Sequence, residues 1–138
     1  MFDSCMYFNT AALARKLDAE WAKAFEPFQL TVPQAFMLRA ILDAPGLLPR
    51  ELADAMIVSR PTITRALDKL QEKGLIFRQP LDLDGRELQI HATRAGVAIK
   101  APLNDAAAKV SARLKKLIGH ADFADTVDRV VAVRNALK

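Results

Sequence analysis

Between residues 48 and 96 the spacing of apolar residues changes from the period of a helix to that of a strand and back again. Apolar residues at spacings of three and four predict two short helices, and Gly74 ends the second of them. Apolar and polar side chains then alternate over two short stretches, which predicts paired strands joined by the charged turn at residues 82–87. The inward positions of the two helices are Leu52, Ala53, Met56, Ile63, Leu67 and Leu70. Two helices followed by a hairpin predict a winged helix-turn-helix.

The second of these helices leaves a polar and cationic side facing outward. Ser59 is predicted as its N-cap, because a serine hydroxyl can accept a hydrogen bond from an early amide, and Pro61 is tolerated in the first turn. The outward side chains are Arg60, Thr62, Thr64, Arg65 and Lys69. Arginine can bond a guanine edge through two nitrogens, and threonine offers a hydroxyl and a methyl to a base or a phosphate. The pattern therefore favours a helix that reads double-stranded DNA.

Helices are also predicted on both sides of this segment. The first has an apolar face and stops at Pro27, and the second begins at a capping box formed by Thr31 and Gln34. Thr93 is expected to cap a long helix that ends near Gly119. The remaining expectations for the last third are a bend or a split caused by Pro102 and a final helix capped by Asp122. The predicted fold class is mainly α, with six helices and a small β-hairpin wing.

The apolar seams of the terminal helices are larger than a chain of this length can cover by itself. We therefore expect one domain over residues 1–138, in which residues 31–93 form the DNA-binding lobe. Residues 1–30 and 94–138 are expected to form a homodimer that presents two recognition helices about 34 Å apart, one turn of DNA.

Composition adds limits of a different kind. The chain has 138 residues, one cysteine and a net charge of +4, but residues 48–93 carry seven basic and seven acidic side chains, so the excess lies outside the motif. One cysteine excludes an internal disulfide framework. There is no leader sequence and no apolar run of about 18 residues, so a cytoplasmic protein without a membrane partner is expected.

The segment ELADAMIVSRPTITRALDKLQEKGLIFR, followed by DLDGRELQIHATRAG, resembles the MarR family of bacterial transcription regulators. The resemblance covers almost the whole chain, including the opening MYFNTAALARKL. It implies a dimer, an inverted-repeat operator, and DNA binding relieved by a small ligand or by oxidation; repression is the commoner mode of regulation. It also assigns Arg86 to the minor groove and Asp84 to the carboxylate that orients this arginine, while Lys69 would contact phosphate.

Two residues depart from the family pattern. Leu48 stands where relatives usually have a threonine or serine that begins the third helix and contacts phosphate. Ile57 stands where a glycine commonly makes the turn between the third and fourth helices. Because a β-branched residue is disfavoured at positive φ, this turn is expected to be strained or to differ in geometry.

The trigger of the regulator has several candidates. Cys5 lies near the position of a peroxide-sensing cysteine in one branch of the family, and Tyr7 could hydrogen-bond its thiolate; a cysteine without redox function is the alternative. A ligand pocket could be bordered by Tyr7, Trp21, Phe36, Met37 and Arg39. An aromatic acid would fit such a pocket with Arg39 as its counter-ion, although the same residues also suit an ordinary core.

Enzyme chemistry has little support in this sequence. His91 and His120 are lone histidines, and no metal-binding motif, phosphate loop or nucleophile elbow is present. Neither a metal nor a cofactor is expected. The alternative function is a winged helix that serves as a protein-protein interaction module, which would favour an apolar or acidic outer face on the fourth helix rather than Arg-Thr-Arg.

Overall fold

The computed structural model describes residues 1–138 and contains seven α-helices and one two-stranded antiparallel sheet. The elements are α1 (Met6–Phe25), α2 (Val32–Asp43), α3 (Pro49–Met56), α4 (Arg60–Glu72), β1 (Ile76–Pro80), β2 (Leu88–Ala92), α5 (Arg94–Ala98), α6 (Lys100–Ile118) and α7 (His120–Ala136). A 3-10 turn, Glu26–Phe28, follows α1 at the predicted proline. The predicted fold class is confirmed, with one helix more than expected.

The additional helix comes from a break at Ile99, where φ is −97° and ψ is 2°. Pro102 explains it, because proline has no N–H to bond the carbonyl of Ala98 and its ring would collide with that carbonyl in a continuous helix. The structure therefore realises the split expected from Pro102. Gly96 allows the short α5 to pack closely against Leu75, because a Cβ at this position would lie 2.3 Å from the carbonyl oxygen of Leu75.

Three predicted caps have different outcomes. At the start of α2 the amide of Gln34 donates to Thr31 Oγ1 over 3.3 Å and the amide of Thr31 donates to Gln34 Oε1 over 3.1 Å, which confirms the capping box. Ser59 occupies the N-cap position of α4, but its hydroxyl pairs with Thr62 Oγ1 at 3.0 Å and not with an amide. Asp122 is not the cap of α7, because Gly119 precedes that helix and Asp122 lies within its first turn.

The hydrophobic core lies mainly between α2 and the elements that follow it. Its fully buried large side chains are Phe25, Met37, Leu38, Ile41, Leu52, Ile63, Leu67, Leu70, Ile76, Ile90 and Leu103. No polar or charged residue is buried. The strands pair with Phe77 opposite His91, and Leu47 extends the sheet by a bridge to Ile90. The inward face predicted for α4 is thus part of this core.

The terminal helices contrast with that core. No residue of α7 is buried, and α1 buries only Phe25. Large apolar side chains exposed on α1, α6 and α7 are Met6, Tyr7, Phe8, Leu13, Leu117, Ile118, Val127, Val130 and Val133. None of the helices is both long and apolar enough to cross a membrane.

Candidate nucleic-acid interface

Helix α4 presents the five outward residues predicted from the sequence to solvent. Arg60, Thr62, Thr64, Arg65 and Lys69 are all exposed, while the opposite side of the helix is buried. The hydroxyl of Thr64 donates to the carbonyl of Arg60 over 3.1 Å. This bond holds the threonine rotamer and leaves the oxygen lone pairs free to accept. The helix therefore offers cations and fixed hydroxyls on one side.

A groove of about 210 Å³ lies where α3, α4 and the hairpin meet. It brings together Arg60 and Thr64 from α4 with Arg86 from the hairpin loop, three residues proposed from the sequence. Its full lining is Leu48, Pro49, Arg50, Arg60, Thr64, Leu67, Arg78, Arg86, Glu87 and Leu88. Thr62, Arg65, Lys69 and Asp84 do not line it. Of its four arginines, Arg60 and Arg86 form no ion pair, so this side of the groove is suited to an anion.

Ion pairs divide the cations of this lobe into two groups. Arg50 pairs with Glu87, Arg78 Nη2 lies 2.7 Å from Asp68 Oδ1, and Lys69 Nζ lies 3.6 Å from Glu72 Oε2. Arg60, Arg65 and Arg86 form no ion pair. Within residues 48–93 the equal numbers of acidic and basic residues thus conceal an uneven surface, because three carboxylates pair with cations of the same segment and three arginines form no ion pair.

The hairpin loop is shaped by Asp82 and Glu87. The amide of Gly85 donates to Asp82 Oδ1 over 3.0 Å, and the amide of Leu81 donates to the carbonyl of Glu87 over 2.8 Å. Asp84 and Arg86 are exposed and make no ion pair with each other. In the free chain Asp84 therefore does not orient Arg86, and Asp82 is the carboxylate that forms the turn.

Two contacts fix the hairpin against the helices. Arg78 of β1 is half-buried and donates to Asp68 and, over 2.9 Å, to Gln71 Oε1, both on α4. Glu87, just before β2, accepts from Arg50 of α3. Because each side of the loop is tied to a different helix, the direction of the loop depends on the helix-turn-helix. Sequence reasoning missed these residues, since pairs separated by 10 and 37 positions leave no periodic signal.

The structure explains the first departure from the family pattern, at Leu48, and shows the conformation of the second, at Ile57. Leu48 is 9% exposed and packs inward, and its amide donates to Glu51 Oε1 over 3.1 Å. The start of α3 is thereby capped without a hydroxyl on the N-cap residue. Ile57 has φ +58° and ψ +46°, which is the left-handed conformation expected to be awkward for a β-branched residue.

Of the five candidate pocket residues, Trp21, Phe36 and Arg39 lie together, whereas Met37 is in the core and Tyr7 is exposed. Trp21 and Phe36 pack with ring centroids 5.0 Å apart, and Met37 is buried in the core. Tyr7 is exposed near the start of α1. Arg39 lies over the ring of Phe36 at 5.3 Å, and its Nε donates to Asn104 Oδ1 over 2.9 Å. The guanidinium is thus held in place without a carboxylate partner.

Cys5 is exposed at the N-cap position of α1. Its carbonyl accepts from the side-chain amide of Asn9 over 2.8 Å, but no hydrogen bond joins Cys5 to Tyr7. The arrangement thus lacks the tyrosine contact suggested by the sequence. No group of three or more His, Cys, Asp or Glu side chains is placed to hold a metal ion.

Comparison with known proteins supports this description. The chain is 40% identical over 70 residues to a protein described as a transcriptional regulator for the hcr operon of Thauera aromatica, a match that spans 51% of the chain and 42% of that relative. It is 28% identical over 106 residues to the transcriptional regulator SarZ of Staphylococcus aureus, covering 77% of the chain and 70% of SarZ. Both relatives are described as regulators of transcription.

The same fold is found in the transcriptional repressor CouR bound to a 23-mer DNA duplex. That structure has a TM-score of 0.88, is 22% identical, and the alignment covers 96% of the chain and 94% of CouR. The fold is that of a winged helix-turn-helix. The MarR family profile matches residues 28–87, the lobe that contains the groove. Over these residues the chain is similar to the MarR family of transcriptional regulators.

Proposed function

We propose that this protein is a repressor that binds an inverted DNA repeat as a homodimer and releases it on binding a small molecule. The observation that carries the DNA-binding part is the set of three unpaired arginines, two on α4 and one on the wing. Arg60 and Arg65 read base edges in the major groove, with Thr62 and Thr64 contacting bases or phosphates. Arg86 enters the adjacent minor groove, and Lys69 contacts phosphate.

The position of the wing supports the minor-groove assignment. Arg78 ties β1 to α4, and Arg50 ties the end of the loop to α3. When α4 lies in the major groove, the loop is therefore held at a fixed offset from it. A narrow A·T-rich minor groove concentrates negative potential, which favours an inserted arginine such as Arg86.

The exposed seams of α1, α6 and α7 support the homodimer. Val127, Val130 and Val133 of α7 leave apolar surface in water that the protomer does not cover. Burial of such surface contributes about 25 cal/mol for each Å² removed from water. A two-fold partner buries the same seam on both copies and orders the two recognition helices for a symmetric operator.

The effector in this proposal is an aromatic acid or its thioester. Arg39 supplies the counter-charge, since Asn104 and Phe36 hold its guanidinium and no carboxylate neutralises it. CouR of Rhodococcus jostii has been solved with p-coumaroyl-CoA, so a protein of this fold accepts an aromatic thioester. A small-molecule effector is preferred to an oxidant because Cys5 is not hydrogen-bonded to Tyr7.

Selection from a random duplex library, followed by fluorescence anisotropy on the selected site, tests the DNA-binding proposal. We expect a symmetric consensus and a log-log dependence on salt with a slope of about 0.9 per neutralised phosphate. Arg65→Ala is expected to weaken specific binding by about 1–3 kcal/mol and to relax the preference at one base position. Lys115→Ala removes a cation from α6, outside the groove, and is the matched control.

The outcomes separate the candidate functions. A consensus that Arg65→Ala weakens and Lys115→Ala does not supports the proposal. If no duplex is enriched, or if the two variants bind alike, the α4 face does not read DNA and the protein-protein module is the better interpretation. The effector is tested on the selected site by adding aromatic carboxylates and their thioesters to the wild type and to Arg39→Gln. Release that is equal in both proteins would contradict the role of Arg39.

A further inference from the structure

The tip of the wing carries a leucine that has no role in the fold. Leu83 has a relative exposure of 108%, so its side chain packs against nothing in the protomer. It lies between Asp82 and Asp84 in the loop that also carries Arg86. Exposed apolar residues are common singly, so exposure alone carries no conclusion. Leu83 differs from other exposed apolar residues because it lies on the loop that, in the proposed function, approaches DNA.

The loop holds Leu83 at its outer end. The amide of Leu81 donates to the carbonyl of Glu87, which closes the loop, and Asp82 fixes the turn by accepting from the amide of Gly85. Arg86 faces the groove between α3, α4 and the wing. Leu83 and Asp84 are the two central residues of this turn, and the exposed side chain of Leu83 does not line the groove.

Charge and chemistry limit what Leu83 can contact. The carboxylate of Asp82 is already used by the turn, whereas Asp84 is exposed and unpaired. A phosphate is an unfavourable neighbour for Asp84 and offers nothing to a leucine. The floor and walls of the minor groove offer deoxyribose and base edges to a leucine, and apolar side chains of minor-groove-binding proteins insert between base steps there. The groove also carries negative potential, which the neighbouring Arg86 offsets for Asp84.

We propose that Leu83 enters the minor groove ahead of Arg86 and contacts deoxyribose and base edges, so that it contributes affinity and a preference for flexible base steps without neutralising a phosphate. This inference rests on the proposed DNA binding. Pyrimidine–purine steps unstack most easily, so these steps are preferred where the tip inserts. Arg86 supplies the electrostatic part of wing binding, and Leu83 supplies the apolar part.

The salt dependence of binding separates the two contributions. Anisotropy titrations on the duplex that the wild-type protein selects from a random library are made at several salt concentrations for Leu83→Ser, Leu83→Met and Arg86→Ala. We expect Leu83→Ser to weaken binding about tenfold with an unchanged salt slope, since apolar contact releases no counterions. Leu83→Met is expected to keep wild-type affinity, and Arg86→Ala to reduce the slope by about one.

The outcomes distinguish failure of this inference from failure of the proposed function. If the wild type selects a duplex and Leu83→Ser binds it as tightly, the inference is overturned while the function stands. A slope reduced in Leu83→Ser would mean a lost phosphate contact and would also overturn it. If the wild type selects no duplex, the proposed function itself fails. Equal thermal unfolding midpoints of the variants show that an affinity change is not a folding defect, because Leu83 contacts no core residue.

Discussion

The DNA-binding lobe, residues 31–93, buries most of its apolar side chains, whereas the terminal helices leave many of theirs exposed. The lobe contains most of the core, whereas α7 has no buried residue at all. The two regions also differ in charge, since the lobe is balanced and the C-terminal helices carry an excess of basic residues. The lobe has eight basic and eight acidic residues and joins several of them in ion pairs, while residues 94–138 carry nine basic and four acidic ones. The lobe buries its own apolar surface, whereas the terminal helices leave theirs exposed, and in the proposed homodimer a second copy covers it.

The largest expected effect is on the free energy of unfolding, and it tests whether the core of the lobe stabilises the protein. Leu67→Ala removes a fully buried side chain at the centre of α4, and we expect it to lower the free energy of unfolding by about 3 kcal/mol. Urea denaturation monitored by circular dichroism measures this change. Leu137→Ala, at a residue 75% exposed in the protomer, is the control and should change the protomer by less than about 0.5 kcal/mol. Similar losses in both variants would contradict the contrast.

The next effect tests the incompleteness of the terminal helices. Val130→Glu places a charge on the exposed seam of α7, so we expect the dimer to dissociate while the lobe stays folded. Loss of the second half-site contact should weaken binding to a two-half-site duplex about a hundredfold. Sedimentation velocity and anisotropy measure the two changes together.

Lys116→Glu also introduces a negative charge, but on α6 and without removing an apolar side chain from α7. It is the matched control for Val130→Glu. A variant Val130→Glu that remains dimeric would show that another surface joins the two copies.

A smaller effect locates strain within the lobe. Ile57 holds a left-handed conformation that costs a β-branched residue about 1–2 kcal/mol. Glycine has no such strain, but it loses more conformational entropy on folding, so only part of this energy is regained. We expect Ile57→Gly to raise the unfolding free energy by about 0.5–1 kcal/mol. Gln29, the other non-glycine residue with positive φ, is not β-branched, so Gln29→Gly should gain less. Destabilisation by Ile57→Gly would mean that the apolar contacts of Ile57 outweigh its backbone strain.

The smallest effect concerns the ion pair that joins α1 to α6. The hydrogen bond from Arg113 is the main cause that holds the pKa of Glu20 below its ordinary value of 4.5. Because the folded-state pKa is the lower one, this carboxylate stabilises the fold above pH 4.5, and the contribution is lost as the pH falls further. Glu20→Gln should therefore be slightly less stable than the wild type at pH 7 and equal to it in acid. Urea midpoints across this range measure the difference, and a gap that persists in acid would exclude the ion pair as its source.

Local sequence signals predicted much of the fold and part of the site. The inward positions of α3, the capping box at Thr31, the buried face of α4 and the position of the hairpin all follow from periodicity and from capping or breaking residues. These features depend on neighbours within a few positions, so the sequence contains their causes. The predicted cap at Asp122 was wrong because several residues near Gly119 could begin a helix, and a local pattern does not rank them.

The tertiary structure decided how the site is assembled. Ion pairs Arg78–Asp68 and Arg50–Glu87 join residues that only the fold brings together, and they determine which arginines remain free and where the wing points. By itself the sequence determined the class of fold, the outward face of α4 and a charged wing, since side-chain period and turn chemistry are local properties. Charge compensation and the depth of a groove depend on distances through space, and those are set only when the elements pack.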